Sequence, residues 1–258
     1  MLRSEELIVV LEREADMLVA NVRSRFTRAD AHLALALLDQ SGDETVEKSE
    51  ERLRDEGLDA ILDDPRLLRA LLTTRLGSRA SEPLFLYVVA RHAMLQSGED
   101  EVMLADYAAS ILLHFGLRDR ANRIADADDE TYDTLAALVG DVDGPDTRRN
   151  FLVRAHLGNY ALWLAGIFPD YIEHRRWRRG GPPIDYYDEM GQRGFQLAAE
   201  HRMASEHGLK PMFALAAEKF PVMRVALNLV SDTLMFPNVS SPERLMRQVR
   251  DEARWKIA

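Results

Sequence analysis

Apolar residues recur at helical intervals along almost the whole chain, and no segment alternates apolar and polar residues as a half-buried strand does. That periodicity restricts the fold to helix packed on helix. We read it as all-α, a multi-helix bundle or orthogonal helical array with no sheet. Leu7, Val10, Leu11, Met17, Leu18 and Val22 predict a first helix from about Ser4 to Arg25. Thr27 is placed to cap the next, and Asp64-Pro65 and Ser81-Glu82-Pro83 open two more, since proline's missing N–H is harmless in a first turn. The apolar run Leu84 to Val89 has the length of a buried strand. No turn signal follows it and the pattern continues through His92 and Met94, which favours a helix.

Later helices are expected from about Glu99 to Phe115, Thr147 to Ile167, Asp185 to His207, Pro211 to Lys219 and Pro221 to Met235, with a charged terminal helix over Glu243 to Ile257. Gly140-Asp141-Val142-Asp143-Gly144-Pro145 reads as a loop, and Gly180-Gly181-Pro182-Pro183 breaks the chain sharply. The expected organisation is an N-terminal helical layer over 1–81, a core over 82–237 and a terminal helix over 238–258, all in one compact domain.

Composition then removes function classes. The chain of 258 residues has no cysteine, which excludes disulfides, thiolate metal sites and cysteine nucleophiles. A formal net charge of −10 argues against nucleic acid as a partner. No segment approaches the ~20 uncharged apolar residues of a membrane span, and the acidic start of the chain is unlike a secretory signal. The expected location is cytoplasmic.

Motifs narrow it further. There is no phosphate-binding glycine loop, no His-Glu-x-x-His, no Glu-x-x-His and no Gly-x-Ser-x-Gly elbow. Asp141-x-Asp143-Gly144 resembles a calcium loop, but its glycine falls early and Pro145 occupies a ligand position. Asp129-Glu130-x-x-Asp133 has the spacing of a magnesium–diphosphate motif, yet its acids begin a helix, where carboxylates simply favour the positive end of the dipole. Asp170 and His174, four apart, read as a surface ion pair. No metal site and no cofactor are expected.

The informative stretch is 154–191. Leu152, His156, Tyr160 and Leu164 form one stripe of a helix apolar enough to be central, with Asn159 and Trp163 beside it. Polar groups on such a helix either join structural hydrogen-bond networks or line a pocket. Gly158 and Gly166, eight apart, point to close helix packing. Arg175, Arg176, Arg178 and Arg179 form the one dense positive cluster, which reads either as a solvated face or partner of the acidic 126–146 region, or as a site suited to a carboxylate or phosphate. Tyr186, Tyr187 and Glu189 follow the diproline and are candidates for a binding rim.

Two runs resemble an uncharacterised all-helical bacterial protein family: Ala155-His156-Leu157-Gly158-Asn159-Tyr160 through Phe168-Pro169, and Asp185-Tyr186-Tyr187-Asp188-Glu189-Met190-Gly191. The likeness extends over about 84–237. It implies a bacterial, intracellular helical protein and supplies no activity or catalytic residue.

No catalytic constellation emerges, so the residues favour a non-catalytic binding or interaction protein, expected to form homo-oligomers or bind a protein partner. The alternative is an enzyme or sensor with a pocket beside the helix around His156 to Trp163. There His156 is the candidate for proton transfer. Asn159, Tyr160, Tyr186, Tyr187 and Glu189 would orient a small anionic ligand held by Arg175, Arg176 and Arg179.

Overall fold

The computed structural model describes residues 19–40, 46–116, 121–124, 131–132, 134–143 and 147–255. Among them are fourteen α-helices and no strand. Most of the first predicted helix, the Asp129-Glu130-x-x-Asp133 motif and the Gly144-Pro145 end of the predicted loop lie outside the described residues. The chain divides into two units, with the boundary between Leu113 and His114.

The first unit contains α1 (Arg28–Gln40), α2 (Val46–Asp55), α3 (Leu58–Leu62), α4 (Pro65–Thr73), α5 (Glu82–Gln96) and most of α6 (Val102–Phe115). Its helix starts follow the local chemistry of the sequence. Thr27 and Asp30 form a reciprocal cap: the Asp30 N–H donates to the Thr27 hydroxyl at 3.3 Å, and the Thr27 N–H to the Asp30 carboxylate at 2.8 Å. Asp64 caps α4, accepting the Arg66 N–H at 2.9 Å. The Arg66 and Arg52 guanidiniums hold its pKa down to about 2 against the opposing effect of burial. Ser81 caps α5, which is one continuous helix through Leu84 to Val89 as its spacing predicts. From its buried face Arg91 makes a two-pronged pair with Asp63, both bonds 2.7 Å, and His92 meets the Leu62 carbonyl at 3.0 Å.

The first predicted helix does not reach Arg25 as an α-helix. Residues 19–22 are irregular, and only a 3-10 turn forms over Arg23–Arg25. The reason is competition for backbone donors. The Arg23 N–H donates to Asp106 at 2.9 Å, and the Asn21 N–H reaches Ser110 at 3.5 Å, so this segment is strapped to α6. Burial pushes the Asp106 carboxyl up to about 6, although the bond from Arg23 opposes the shift. The folded state therefore holds the Asp106 proton more tightly than the unfolded chain. Stability from this group is complete below about pH 4 and lost as pH rises through about 6, up to about 3 kcal/mol in all. Asp106→Asn keeps an acceptor for Arg23 but cannot ionise. Its urea stability relative to the native chain is expected to rise between pH 4.5 and 7, and a constant difference would contradict this account.

The second unit is built around α8 (Thr147–Ile167), which spans the predicted residues. Around it lie α7 (Leu135–Asp141), α9 (Pro169–Arg179), α10 (Ile184–Glu200), α11 (Arg202–Glu206), α12 (Lys210–Glu218), α13 (Phe220–Val230) and α14 (Pro242–Trp255). Helices α10 and α13 pack directly on α8, and α14 packs on α9. The residues from Ala155 to Trp163 are buried without a break, so α8 is central as expected. A β-carbon on Gly158 would run into the Phe195 ring, and one on Gly166 would lie 2.7 Å from Leu227 Cβ. Both glycines thus mark close helix packing.

Two predicted boundaries shift. Gly140 and Asp141 belong to α7 rather than to a loop, because Thr134 caps that helix by accepting the Ala137 N–H at 3.3 Å and its last turn carries through to Asp141. The helix expected to run to His207 breaks at His201. That ring accepts the Met203 N–H at 3.2 Å as a new cap and stacks on Phe151 at 5.1 Å.

The junction of α8 and α9 is a problem of unsatisfied carbonyls. Pro169 has no N–H for the Ala165 carbonyl four residues back, and the Tyr171 N–H bonds Phe168 rather than Ile167. Asn228 on α13 supplies the missing donor, its amide reaching the Ala165 and Gly166 carbonyls at 2.7 and 2.8 Å. Ser231 opens a π-helical turn, Ser231–Met235, and donates to the Ile167 carbonyl at 2.7 Å. Arg224, one turn before Asn228, donates to the Asn228 side-chain oxygen at 2.9 Å. It is only 1% exposed and lies between two carboxylates, Asp188 at 2.8 Å and Asp251 at 3.3 Å.

Candidate functional site

A cavity of about 310 Å³ opens in the second unit where α8, α9 and α10 meet the first turn of α7. Its floor is Tyr160 and Leu164, one turn apart on α8. Ile172 and Arg175 come from α9, and Tyr186 and Tyr187 from the first turn of α10. The chain break between α9 and α10 explains why they converge. Gly180 ends α9 in the left-handed region, φ 65°, where a side chain would be strained. Gly181 then donates back to the Arg175 carbonyl at 3.3 Å, and Pro182-Pro183 start the return, so the opening of α10 faces the last turns of α9.

The walls are aromatic and the polar groups few. Tyr186 and Tyr187 meet edge-on at 5.7 Å and 88°. Tyr171, more than half exposed, stands at the rim, and the Arg175 guanidinium lies 5.8 Å from its ring centre. Among the described residues no carboxylate pairs with Arg175, whose planar fork borders the cavity. Burial pushes the Tyr187 phenol above its usual range although Arg175 pulls the other way, so at neutral pH it is a hydroxyl able to donate.

Of the residues selected from sequence, Tyr160, Arg175, Tyr186 and Tyr187 line this cavity. The others do not. His156 is buried one turn before Tyr160, its ring stacked on that tyrosine at 5.8 Å and 7° and lying 5.6 Å from Phe115. Asn159 is buried in the same helix and does not line the cavity. Arg176 lines a different groove, between α9 and α14, where it is 3.5 Å from Glu173 and 5.6 Å from the Trp177 ring centre. Arg179 is exposed at the end of α9, and Glu189 is exposed on α10.

Two polar residues escaped the sequence reading, and a third was given the wrong partner. Tyr171 lines the rim, and its position one turn before Arg175 was the available signal. Asp188, rather than its neighbour Glu189, points inward to Arg224. It lies four residues after Ile184 on the buried stripe of α10. Asp170 pairs with Arg244 at 2.6 Å and Arg247 at 3.2 Å on α14, not with His174. Partners more than seventy residues away leave no local trace.

Among the described residues, no group of three His, Asp or Glu is arranged to hold a metal ion, and no helix is long and apolar enough to cross a membrane. No protein-family model, curated protein or solved structure matches the chain.

Proposed function

We propose that this protein binds a small molecule with an aromatic or branched apolar body and one carboxylate or phosphate group, seated in the tyrosine-lined cavity. The observation that carries this reading is the Arg175 guanidinium, which makes no ion pair among the described residues, set among Tyr160, Tyr171, Tyr186 and Tyr187 in a space of ligand size. The tyrosine faces take the body and Arg175 takes the anion. The Tyr187 hydroxyl adds a donor that discriminates among anions by position. His156 stands behind Tyr160 instead of lining the space, so the reading is binding and not proton transfer through that histidine.

The test is a melting-temperature screen with aryl and branched-chain carboxylates and their phosphate counterparts, followed by calorimetry on any that raise the transition. Arg175→Met keeps an unbranched stem and removes the charge. It is expected to weaken binding about 10- to 100-fold, the worth of one charge-assisted bond. Tyr187→Phe is expected to weaken it about 5- to 10-fold, with Tyr160 and Leu164 still in place. Equal binding by native chain and Arg175→Met, or a screen in which no anion acts, overturns the proposal.

A further inference from the structure

Helix α14 is amphipathic with its polarity reversed. Arg244, Arg247 and Asp251 are buried, while Leu245, Met246 and Val249 are 57%, 70% and 62% exposed. The inward set is held by geometry and cannot simply rotate out. Arg244 pairs with Asp170 at 2.6 Å and donates to the Phe236 carbonyl at 2.8 Å. Arg247 bridges Asp232 at 2.8 Å and Asp170 at 3.2 Å, and Asp251 meets Arg224 at 3.3 Å. Freeing any of these would strand buried charge. The apolar stripe is therefore fixed on the outside, and Trp177 of α9, 70% exposed, is close by. A groove of about 460 Å³ separates Trp177 from Met246. Contiguous exposed apolar side chains of this kind mark interaction surfaces.

We propose that this face is the seat of a second copy of the chain, its α14 lying antiparallel on the first. The argument is charge register. Glu243 and Arg250 are seven residues apart and therefore on the same edge of the stripe. A two-fold axis between Met246 and Arg247 brings Glu243 of each copy level with Arg250 of the other, twice, with the two Met246 residues offset by only about 1.5 Å along the helices. Parallel alignment puts this edge of the two helices on opposite sides of the contact, so Glu243 and Arg250 would not meet. Arg250 has only a long contact to Glu173 at 3.8 Å; its Nε and Nη2 are buried, and the part of its side chain that stays in solvent can take this pair. The groove beside Met246 gives that flexible thioether room to settle, and Trp177 becomes the aromatic anchor at the edge.

Sedimentation of the full chain at concentrations from about 1 to 100 µM is expected to show a monomer–dimer equilibrium. Leu245→Glu with Val249→Glu changes only exposed positions and is expected to weaken the dimer about 100-fold or more with helicity unchanged. Glu243→Arg is expected to weaken it about 10-fold, and adding Arg250→Glu to restore it, which a merely sticky surface would not do. The absence of native cysteine makes a further reading clean. Met246→Cys is expected to form a disulfide-linked dimer under mild oxidation, while Leu72→Cys, exposed in the first unit, is not. A native chain that stays monomeric, a dimer indifferent to the double glutamate variant, or a Met246→Cys thiol shielded from maleimide in a monomer overturns the proposal. The last result would assign the face to another part of the same chain.

Discussion

Arg224→Met is expected to lower unfolding stability by about 3–5 kcal/mol at pH 7, the cost of removing one partner from a buried ion cluster. Methionine replaces the stem but not the guanidinium, so a small cavity adds to the loss. The loss comes chiefly from Asp188 and Asp251, which share the guanidinium from opposite sides and would be left facing a thioether. Asn228 also loses the donor to its side-chain oxygen, and with it the constraint that aims its amide at the Ala165 and Gly166 carbonyls. The damage should ease as pH falls, because carboxyls stripped of their cation protonate readily. Arg224→Met combined with Asp188→Asn and Asp251→Asn is expected to recover most of the loss, since neutral amides tolerate the site. Urea unfolding of the three proteins at pH 7 and 5 decides the matter. A loss below about 1 kcal/mol for the single variant would mean that water already reaches the cluster.

That cluster shows where sequence reading succeeds and where it stops. Helix identity, several caps and the central place of α8 follow from spacing and from Thr27, Asp64 and Ser81, because these are interactions within a few residues. The gathering of Tyr160, Arg175, Tyr186 and Tyr187 was partly legible for the same reason. The glycine–proline break forces α10 back along α9, and composition marks the break plainly. Phase was harder to read. Glu189 and Asp188 are equally acidic, and only the buried stripe through Ile184, Tyr187 and Gly191 tells which one turns inward. On α14 hydrophobicity gives the wrong phase. Leu245, Met246 and Val249 would normally face the core, but Asp170 and Asp232 wait there, and two arginines answer them. Long-range charge pairs of this type have no signature in a single chain's local pattern.

Gly194→Ala should have the second large effect, a net loss of about 3 kcal/mol and a fall in melting temperature of roughly 6–12 °C. By helix propensity alone alanine would stabilise α10 by about 1 kcal/mol, so the sign of the result is itself informative. The obstacle is backbone: the new β-carbon would lie 2.6 Å from the Gly158 nitrogen and 3.0 Å from the Arg154 carbonyl oxygen. Relief requires α8 and α10 to move apart along their whole contact. Gly158→Ala, the mirror change on α8, meets the Phe195 ring instead, and a ring can be removed. In a Phe195→Leu background Gly158→Ala should cost clearly less than in the native chain, while Gly194→Ala should cost the same in both. Because Tyr160 and Leu164 stand on α8 and Tyr186 and Tyr187 on α10, separating the two helices also widens the tyrosine cavity. A Gly194→Ala protein that still folds is therefore expected to lose ligand affinity even with every lining residue intact. Unchanged stability and unchanged binding together would show that the closeness of this crossing holds neither the fold nor the cavity.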